Sequence, residues 1–245
     1  MRRAATMAFA AGMYVFPGGR IDHVDSRMDV PWSAEEVDGS RMSATQAQAR
    51  GLIVGAVREV FEETGVLLAV DAGGQTPVED ADWESDRLAV SESSAALAEV
   101  LQRRRLRLDP GLLPLWTHWV TPEIESKRYD VRFFVAHVPP GQEARDVSGE
   151  ADEVRWISPS VALRDYSRGQ LPMLPPTVAT LADLAGLHDA RSVMAQAPGR
   201  DVRPLMPRPR LADDGALVWE VIDARDGSVL ISLPNEPAGS EVAGA

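Results

Sequence analysis

Three glutamates lie close together in the stretch REVFEETGV, residues 58–66. At about 100° per residue in a helix, Glu59, Glu62 and Glu63 share an arc of roughly 100° on one face. No lysine or arginine follows any of them at the i+4 position, so the pattern predicts that another cation offsets their repulsion. Carboxylate oxygens suit Mg²⁺ or Mn²⁺, which typically bind together with substrate phosphates. The alternative interpretation is a solvated helix face without a chemical role.

The helix that carries these glutamates is predicted over residues 44–64. Ser43 and Gln46 form a capping-box pattern at its start, and Gly65 is typical of a helix C-cap. Gly55 falls on the same face as the glutamates, where a missing side chain leaves room for another group to approach. The opposite face is an apolar stripe that we expect to face the core: Ile53, Val57, Val60 and Phe61.

The rest of the chain mixes predicted strands and helices without strict alternation. Strands are predicted over residues 12–16, 66–70, 115–122, 129–138 and 152–159, and helices over 91–105 and 175–187. A hairpin is predicted from strands 216–222 and 228–233 around Asp226-Gly227. This order indicates the α/β or α+β class with a mixed sheet.

Composition narrows the classes of function. The 245 residues include no cysteine, which excludes a disulfide scaffold, a thiolate zinc site and a cysteine nucleophile. The net charge of −12 disfavours nucleic acid or an anionic membrane as a partner. The start, MRRAATMAFAAGMYVF, is compatible with a signal peptide or with a strand that enters the turn PGG. We favour the strand, and therefore predict a cytoplasmic protein.

The stretch REVFEETGV resembles the second half of the Nudix box, G-x5-E-x7-R-E-U-x-E-E-x-G-U, where U is a bulky apolar residue. It matches that half at every fixed position: Arg58, Glu59, Val60, Glu62, Glu63, Gly65 and Val66. The first half is altered. Counting from Gly19 places Asp25 where the box has glutamate, and residues 26–57 then separate Asp25 from Arg58. The box is therefore interrupted by an insert.

The segments VFPGGRID, RYDVRFFVAHVP and WISPSVAL make the chain similar to the coenzyme A diphosphatase branch of the Nudix hydrolases. This resemblance implies a mixed β-sheet sandwiched between helices, with inserted loops and a C-terminal extension. We expect a Nudix domain over residues 1–190, with inserts at about 23–43 and 71–105. Residues 191–245 are expected to form a proline-rich arm, a hairpin and a disordered tail.

The resemblance also assigns roles to charged residues of the box. It implies that Glu59, Glu62 and Glu63 are catalytic and bind Mg²⁺ or Mn²⁺, and that Arg58 orients a box carboxylate through a charge-assisted hydrogen bond. Glu150 belongs to a second acidic cluster, SGEADEVRW, and is the best further candidate for the metal. A solvated loop before a strand is the alternative interpretation of that cluster.

The expected partner is a small nucleoside diphosphate derivative. Gly18 and Gly19 are predicted to shape the loop that leads to the box and to contact the substrate there. Arg128 and Arg132 are predicted to bind its phosphates. Three alternatives remain open: a coenzyme A compound, ADP-ribose or a nucleotide sugar, and a Nudix-fold binding module without catalysis. One departure from the branch is Ala8, which stands where the related signature has a basic residue. The sequence also leaves a homodimer open.

Overall fold

The computed structural model describes residues 1–7, 10–34, 37–145, 147, 149, 151–213, 215 and 217–233. Within them the helices are α1 (Gln46–Thr64), α2 (Trp83–Glu92), α3 (Ala96–Arg104), α4 (Pro159–Ser167), α5 (Pro175–Ala185) and α6 (Ala190–Gln196). The strands are β1 (Arg2–Arg3), β2 (Leu115–Val120), β3 (Asp130–Phe134), β4 (Ala151–Glu153), β5 (Pro204–Leu211), β6 (Leu217–Asp223) and β7 (Val229–Leu233). None of the described helices has the length and apolar character needed to cross a bilayer.

The central sheet has five strands in the order β3-β2-β5-β6-β7. The pair β2–β5 is parallel and the other pairs are antiparallel, so the predicted mixed sheet is confirmed. Helix α5 packs on one face, where Ala179 joins a buried cluster with Trp119 and Val221. Strands β1 and β4 form a separate two-stranded sheet.

Helix α1 runs through the largest apolar cluster of the described residues. Ile53, Val57 and Phe61 are at most 1% exposed, so the predicted apolar stripe faces the core. The capping box is formed by Thr45 and Gln48, not by the predicted Ser43 and Gln46. Ser43 has a φ of 52°, a left-handed conformation, whereas an N-cap residue needs extended backbone. Gly65 ends the helix as predicted, with a φ of 76°.

Several predicted element boundaries were wrong. Residues 66–69 form no strand, and Val70 makes a single bridge, to Arg107. The helix predicted over 91–105 is shortened to α3, because the chain turns at residues 93–95, and helix α2 before that turn was not predicted. The strands predicted over 12–16 and 152–159 are shorter, one being a single bridge at Tyr14 and the other the three residues of β4.

The C-terminal arm contributes to the central sheet. The predicted hairpin is confirmed as β6 and β7, and the proline-rich segment before it forms β5. Strand β5 pairs with β2 only through Pro204 and Leu205, so its later prolines need no amide donor on that side. The arm therefore shares one sheet with β2 and β3, which lie within the expected Nudix domain. The predicted disordered tail, 234–245, lies outside the described residues.

Candidate active site

The guanidinium of Arg58 lies at the centre of a group of carboxylates on helix α1. It forms 3.1 Å contacts with Glu62 through Nη1, and with Asp25 through both Nε and Nη2. Nη2 also lies 3.0 Å from Oε1 of Glu59. The expectation that no protein cation relieves the glutamates was therefore wrong. Arg58 precedes Glu62 by four residues, a spacing that brings two side chains together on a helix.

Asp25 occupies the place that the Nudix box gives to glutamate. Its side chain is fully buried, and it accepts a further hydrogen bond from the amide of Asp22 at 2.8 Å. The carbonyl of Arg20 accepts a 2.9 Å bond from Nη2 of Arg58. Residues 20–25 therefore wrap around the arginine, and the interrupted box closes in space although its halves are separated in sequence.

Two glycines before this loop contact the remaining glutamates. The amide of Gly18, a residue with a φ of 141°, donates to Oε2 of Glu63 at 2.7 Å. A Cβ atom on Gly19 would lie 2.4–2.6 Å from the carboxylate atoms of Glu59. A side chain at Gly19 would therefore displace Glu59. Both glycines, predicted to contact substrate, lie against two of the glutamates.

Glycines on α1 let the loop approach the helix closely. A Cβ atom on Gly55 would lie 2.4 Å from Cδ1 of Ile21 and 3.1 Å from Oδ2 of Asp25. A Cβ atom on Gly51 would lie 2.4 Å from Oγ of Ser26. The group that approaches the glutamate face at Gly55 is thus the first half of the box itself.

Burial controls the electrostatics of this group. The pKa of Glu62 is raised, because desolvation outweighs its hydrogen bond to Arg58. Burial alone would lower the pKa of Arg58, but the hydrogen bond to Asp25 and the charge of Glu59 raise it above its usual value. Among the described residues, no three acidic or histidine side chains converge on one point as a metal centre requires. The glutamate side chains are directed to Arg58 and Gly18 instead.

The other predicted site residues that the structure describes bond to backbone carbonyls elsewhere, Arg128 to that of Thr121 and Arg132 to that of Met42. Phe133 contacts Phe16, which leads to Gly18, with ring centres 5.7 Å apart. Arg132 precedes Phe133 on β3 and therefore faces the other side of the sheet, where it donates to the carbonyl of Met42. Arg128 lines a cavity of about 350 Å³ on that side, together with Arg132. Glu150 lies outside the described residues.

Sequence reasoning did not single out the contacts that the second insert makes with this group. Arg87 on α2 donates to the carbonyl of Glu62, and Ser94 donates to the carboxylate of Asp22. Both residues are distant from the box in sequence and belong to no motif. Only the three-dimensional structure reveals them.

Comparison with known proteins identifies the family. The model of the NUDT19 Nudix domain matches residues 34–184, which include α1 and the glutamates. A crystal structure of a Nudix hydrolase from Alicyclobacillus acidocaldarius superposes with a TM-score of 0.64 at 31% identity, covering 79% of this chain and 85% of that one. The fold and the split box thus define a Nudix hydrolase. The chain belongs to the Nudix family, in the group described by the NUDT19 domain.

Curated relatives agree with this placement. The chain is 25% identical over 223 residues to the acyl-coenzyme A diphosphatase NUDT19 of Xenopus laevis, covering 75% of this chain. It is 25% identical over 243 residues to the Gallus gallus protein of the same name, covering 77% of this chain. It is 24% identical over 209 residues to putative nudix hydrolase 7 of Caenorhabditis elegans, covering 85% of this chain. The matches span 58%, 62% and 62% of those proteins' lengths, respectively.

Proposed function

We propose that this chain is a divalent-metal-dependent diphosphatase for a nucleoside-diphosphate-linked compound, with coenzyme A or an acyl-coenzyme A as the first candidate. The observation that carries the proposal is the group around Arg58, in which Asp25, Glu59 and Glu62 surround one guanidinium. Glu59 and Glu62 belong to the carboxylate face of α1, and carboxylate oxygens are the ligands that a metal-dependent diphosphatase needs. The names of the Xenopus and Gallus relatives support the choice of an acyl-coenzyme A.

The chemistry of the donors suits a hard divalent cation, although the glutamate side chains are directed to Arg58 and Gly18 and do not converge on one point. The donors on one face of α1 are all carboxylate oxygens, and Gly19 approaches Glu59 so closely that only a glycine leaves the carboxylate in place. Glu59, Glu62 and Glu63 would hold Mg²⁺ or Mn²⁺, while Glu150 stays a prediction. When bound, the metal would acidify a water molecule and offset the charge of the phosphates.

The chain's own residues position these donors. Arg58 holds Glu59 and Glu62 through its two Nη atoms, and Asp25 fixes Arg58 from the other side. The Gly18 amide holds Glu63, which is only 6% exposed. These bonds keep the carboxylates in place, and the cation that they would hold, not the carboxylates themselves, would offset the negative charge of the diphosphate.

Substrate identity is the finer part of the proposal. Water adds across the P–O–P link, so coenzyme A would yield adenosine 3′,5′-bisphosphate and 4′-phosphopantetheine. ADP-ribose would yield AMP and ribose 5-phosphate. Arg2 and Arg3 are the basic residues nearest to Ala8 in sequence, and Arg2 lies 3.7 Å from Asp152. They are the candidates to replace the missing cation of the coenzyme A signature.

Mass spectrometry of reaction products tests the substrate. The full chain is incubated with Mg²⁺ and, separately, coenzyme A, several acyl-coenzyme A esters, ADP-ribose and a nucleotide sugar. We expect adenosine 3′,5′-bisphosphate to accumulate from the coenzyme A compounds. Rapid turnover of ADP-ribose with coenzyme A untouched would move the assignment to the second candidate. Tight binding without any product would instead favour the non-catalytic module.

A further inference from the structure

The second insert contacts both halves of the interrupted box. We call helices α2 and α3 with their joining turn, residues 83–104, the strut. One end of the strut bonds to the last turn of α1, which carries the second half of the box. The turn between its helices bonds to the loop over residues 20–25, which carries Asp25 of the first half. The strut is thus a third element of the site, in addition to α1 and the loop.

The first contact is made by Arg87, whose side chain is 4% exposed. Its Nη1 donates to the carbonyl of Glu62 at 3.0 Å, while Nε and Nη2 are held by Glu84 on the same helix. The last carbonyls of a helix lack intrahelical donors and carry partial negative charge. A buried guanidinium there fixes the backbone from which the Glu62 side chain extends.

Trp83 reinforces the same contact. Its indole Nε1 donates to the carbonyl of Gly65 at 2.8 Å, one turn beyond Glu62. Its ring also meets that of Phe61 edge to face, with centres 5.6 Å apart. The strut therefore satisfies two carbonyls at the end of α1 and packs against a core residue beside the glutamates.

The second contact is made by Ser94. Its Oγ donates to Oδ2 of Asp22 at 2.5 Å, across 72 residues of sequence. The amide of Asp22 in turn donates to Asp25, which binds Arg58. Asp22 therefore joins the strut to the centre of the carboxylates, since its side chain binds Ser94 and its backbone amide binds Asp25.

We propose that the strut takes the place of the short connection in an uninterrupted box. Arg87 and Ser94 are then positioning residues that hold the two halves of the box at a fixed distance and orientation. This inference rests on the proposed function. Neither residue is placed to touch substrate, since Arg87 contacts a backbone carbonyl and Ser94 a loop carboxylate. Their effect on turnover is transmitted through the geometry of Glu62 and Arg58.

Arg87→Met tests the first contact, with Arg200→Met as its matched control. Arg200 also combines a bond to a backbone carbonyl, that of Trp116, with a carboxylate partner, Asp183, but it lies in the C-terminal arm. We expect Arg87→Met to lower kcat roughly 10- to 100-fold with little change in KM, since small displacements of catalytic groups have effects of that size. Arg87→Lys, which keeps a charged donor, should recover much of the rate.

Hydrogen exchange gives a readout that does not depend on activity. In the full chain without substrate, Arg87→Met should speed exchange about tenfold or more in peptides that cover residues 60–66. Arg200→Met should leave that region unchanged even if it lowers the melting temperature equally. Equal exchange in both variants, together with equal kcat, would overturn the role of Arg87.

Ser94→Ala tests the second contact without the risk of unfolding. Ser40→Ala is its control, because Ser40 also donates to an aspartate, Asp38, at 2.6 Å, but within its own loop. We expect faster exchange over residues 18–25 and a severalfold lower kcat for Ser94→Ala only. Unchanged exchange would refute the bridge. If the wild-type chain hydrolyses no diphosphate, the proposed function fails, while the exchange data still decide whether the strut holds the loop.

Discussion

Asp25 and Arg58 are 33 residues apart in sequence, yet their side chains share two hydrogen bonds of 3.1 Å. The carboxylate of Asp25 is fully buried and the guanidinium of Arg58 is 4% exposed. A guanidinium and a carboxylate that pair through two parallel bonds fix each other's orientation as well as their distance. The insert between them therefore leaves the charged centre of the Nudix box intact.

Asp25→Asn should destabilise the fold, because it removes the buried negative charge while keeping the shape of the side chain. Removing one member of a buried ion pair typically costs about 3–5 kcal/mol, and Arg58 keeps Glu59 and Glu62 as partners. We therefore expect a loss of about 3 kcal/mol in the free energy of unfolding, measured by urea titration. Asp29→Asn, an exposed position in the same insert, serves as the control. Equal stability of both variants would contradict the pairing.

Gly19→Ala should reduce activity without reducing stability. Its backbone does not need a positive φ, but the new Cβ atom would lie within 2.4–2.6 Å of the Glu59 carboxylate, which must then move. We expect at least a tenfold lower kcat and an unchanged melting temperature, in line with the sensitivity of catalysis to displaced groups. Gly199→Ala is the control, since nothing lies within 4 Å of a Cβ atom there. A kcat equal to that of the wild type in Gly19→Ala would contradict the assignment of Glu59 to the active site.

Glu62→Gln should make the metal-free protein more stable at neutral pH. Burial raises the pKa of Glu62 in the folded state, so the folded protein holds this proton more tightly than the unfolded chain does. The ionised carboxylate therefore opposes folding once the pH rises above its unfolded pKa of about 4.3. We expect Glu62→Gln to be more stable than wild type at pH 7 and equally stable near pH 4. Chemical unfolding with a chelator present, repeated across that range, measures the difference. If the wild type is more stable than Glu62→Gln at pH 7, burial does not make the ionised Glu62 carboxylate unfavourable in the folded state.

The second half of the box could be predicted from the sequence because it is a local pattern on one helix. Helical periodicity places Glu59, Glu62 and Glu63 on one face, and Gly65 stops the helix whatever the rest of the chain does. The same periodicity places Arg58 near Glu62. The charge pattern alone did not predict this pairing, because only cations that follow each glutamate were counted, whereas the resemblance to the Nudix box implied a bond from Arg58 to a box carboxylate.

The remaining geometry depends on contacts between distant segments. Asp25 reaches Arg58 because Gly51 and Gly55 let the loop approach α1 closely. No short-range sequence pattern predicts this approach. Helix α2, the contacts of the strut and strand β5 were missed for the same reason. Propensity alone disfavours a strand rich in prolines, and tertiary pairing with β6 overrides it. The contacts of the inserts and of the C-terminal arm are therefore the part of the structure that the sequence did not predict.

Hydrolysis of coenzyme A and ADP-ribose by wild type and Glu63→Gln, followed with and without Mg²⁺, tests the central claim most directly. Glutamine keeps an oxygen that can accept the 2.7 Å bond from the Gly18 amide, so the fold should be preserved while the charge is lost. We predict Mg²⁺-dependent cleavage by the wild type and a rate lower by roughly 100-fold or more in Glu63→Gln, with equal melting temperatures in a chelator. Metal-independent turnover, or near-normal turnover by Glu63→Gln at saturating Mg²⁺, would contradict the assignment of these carboxylates.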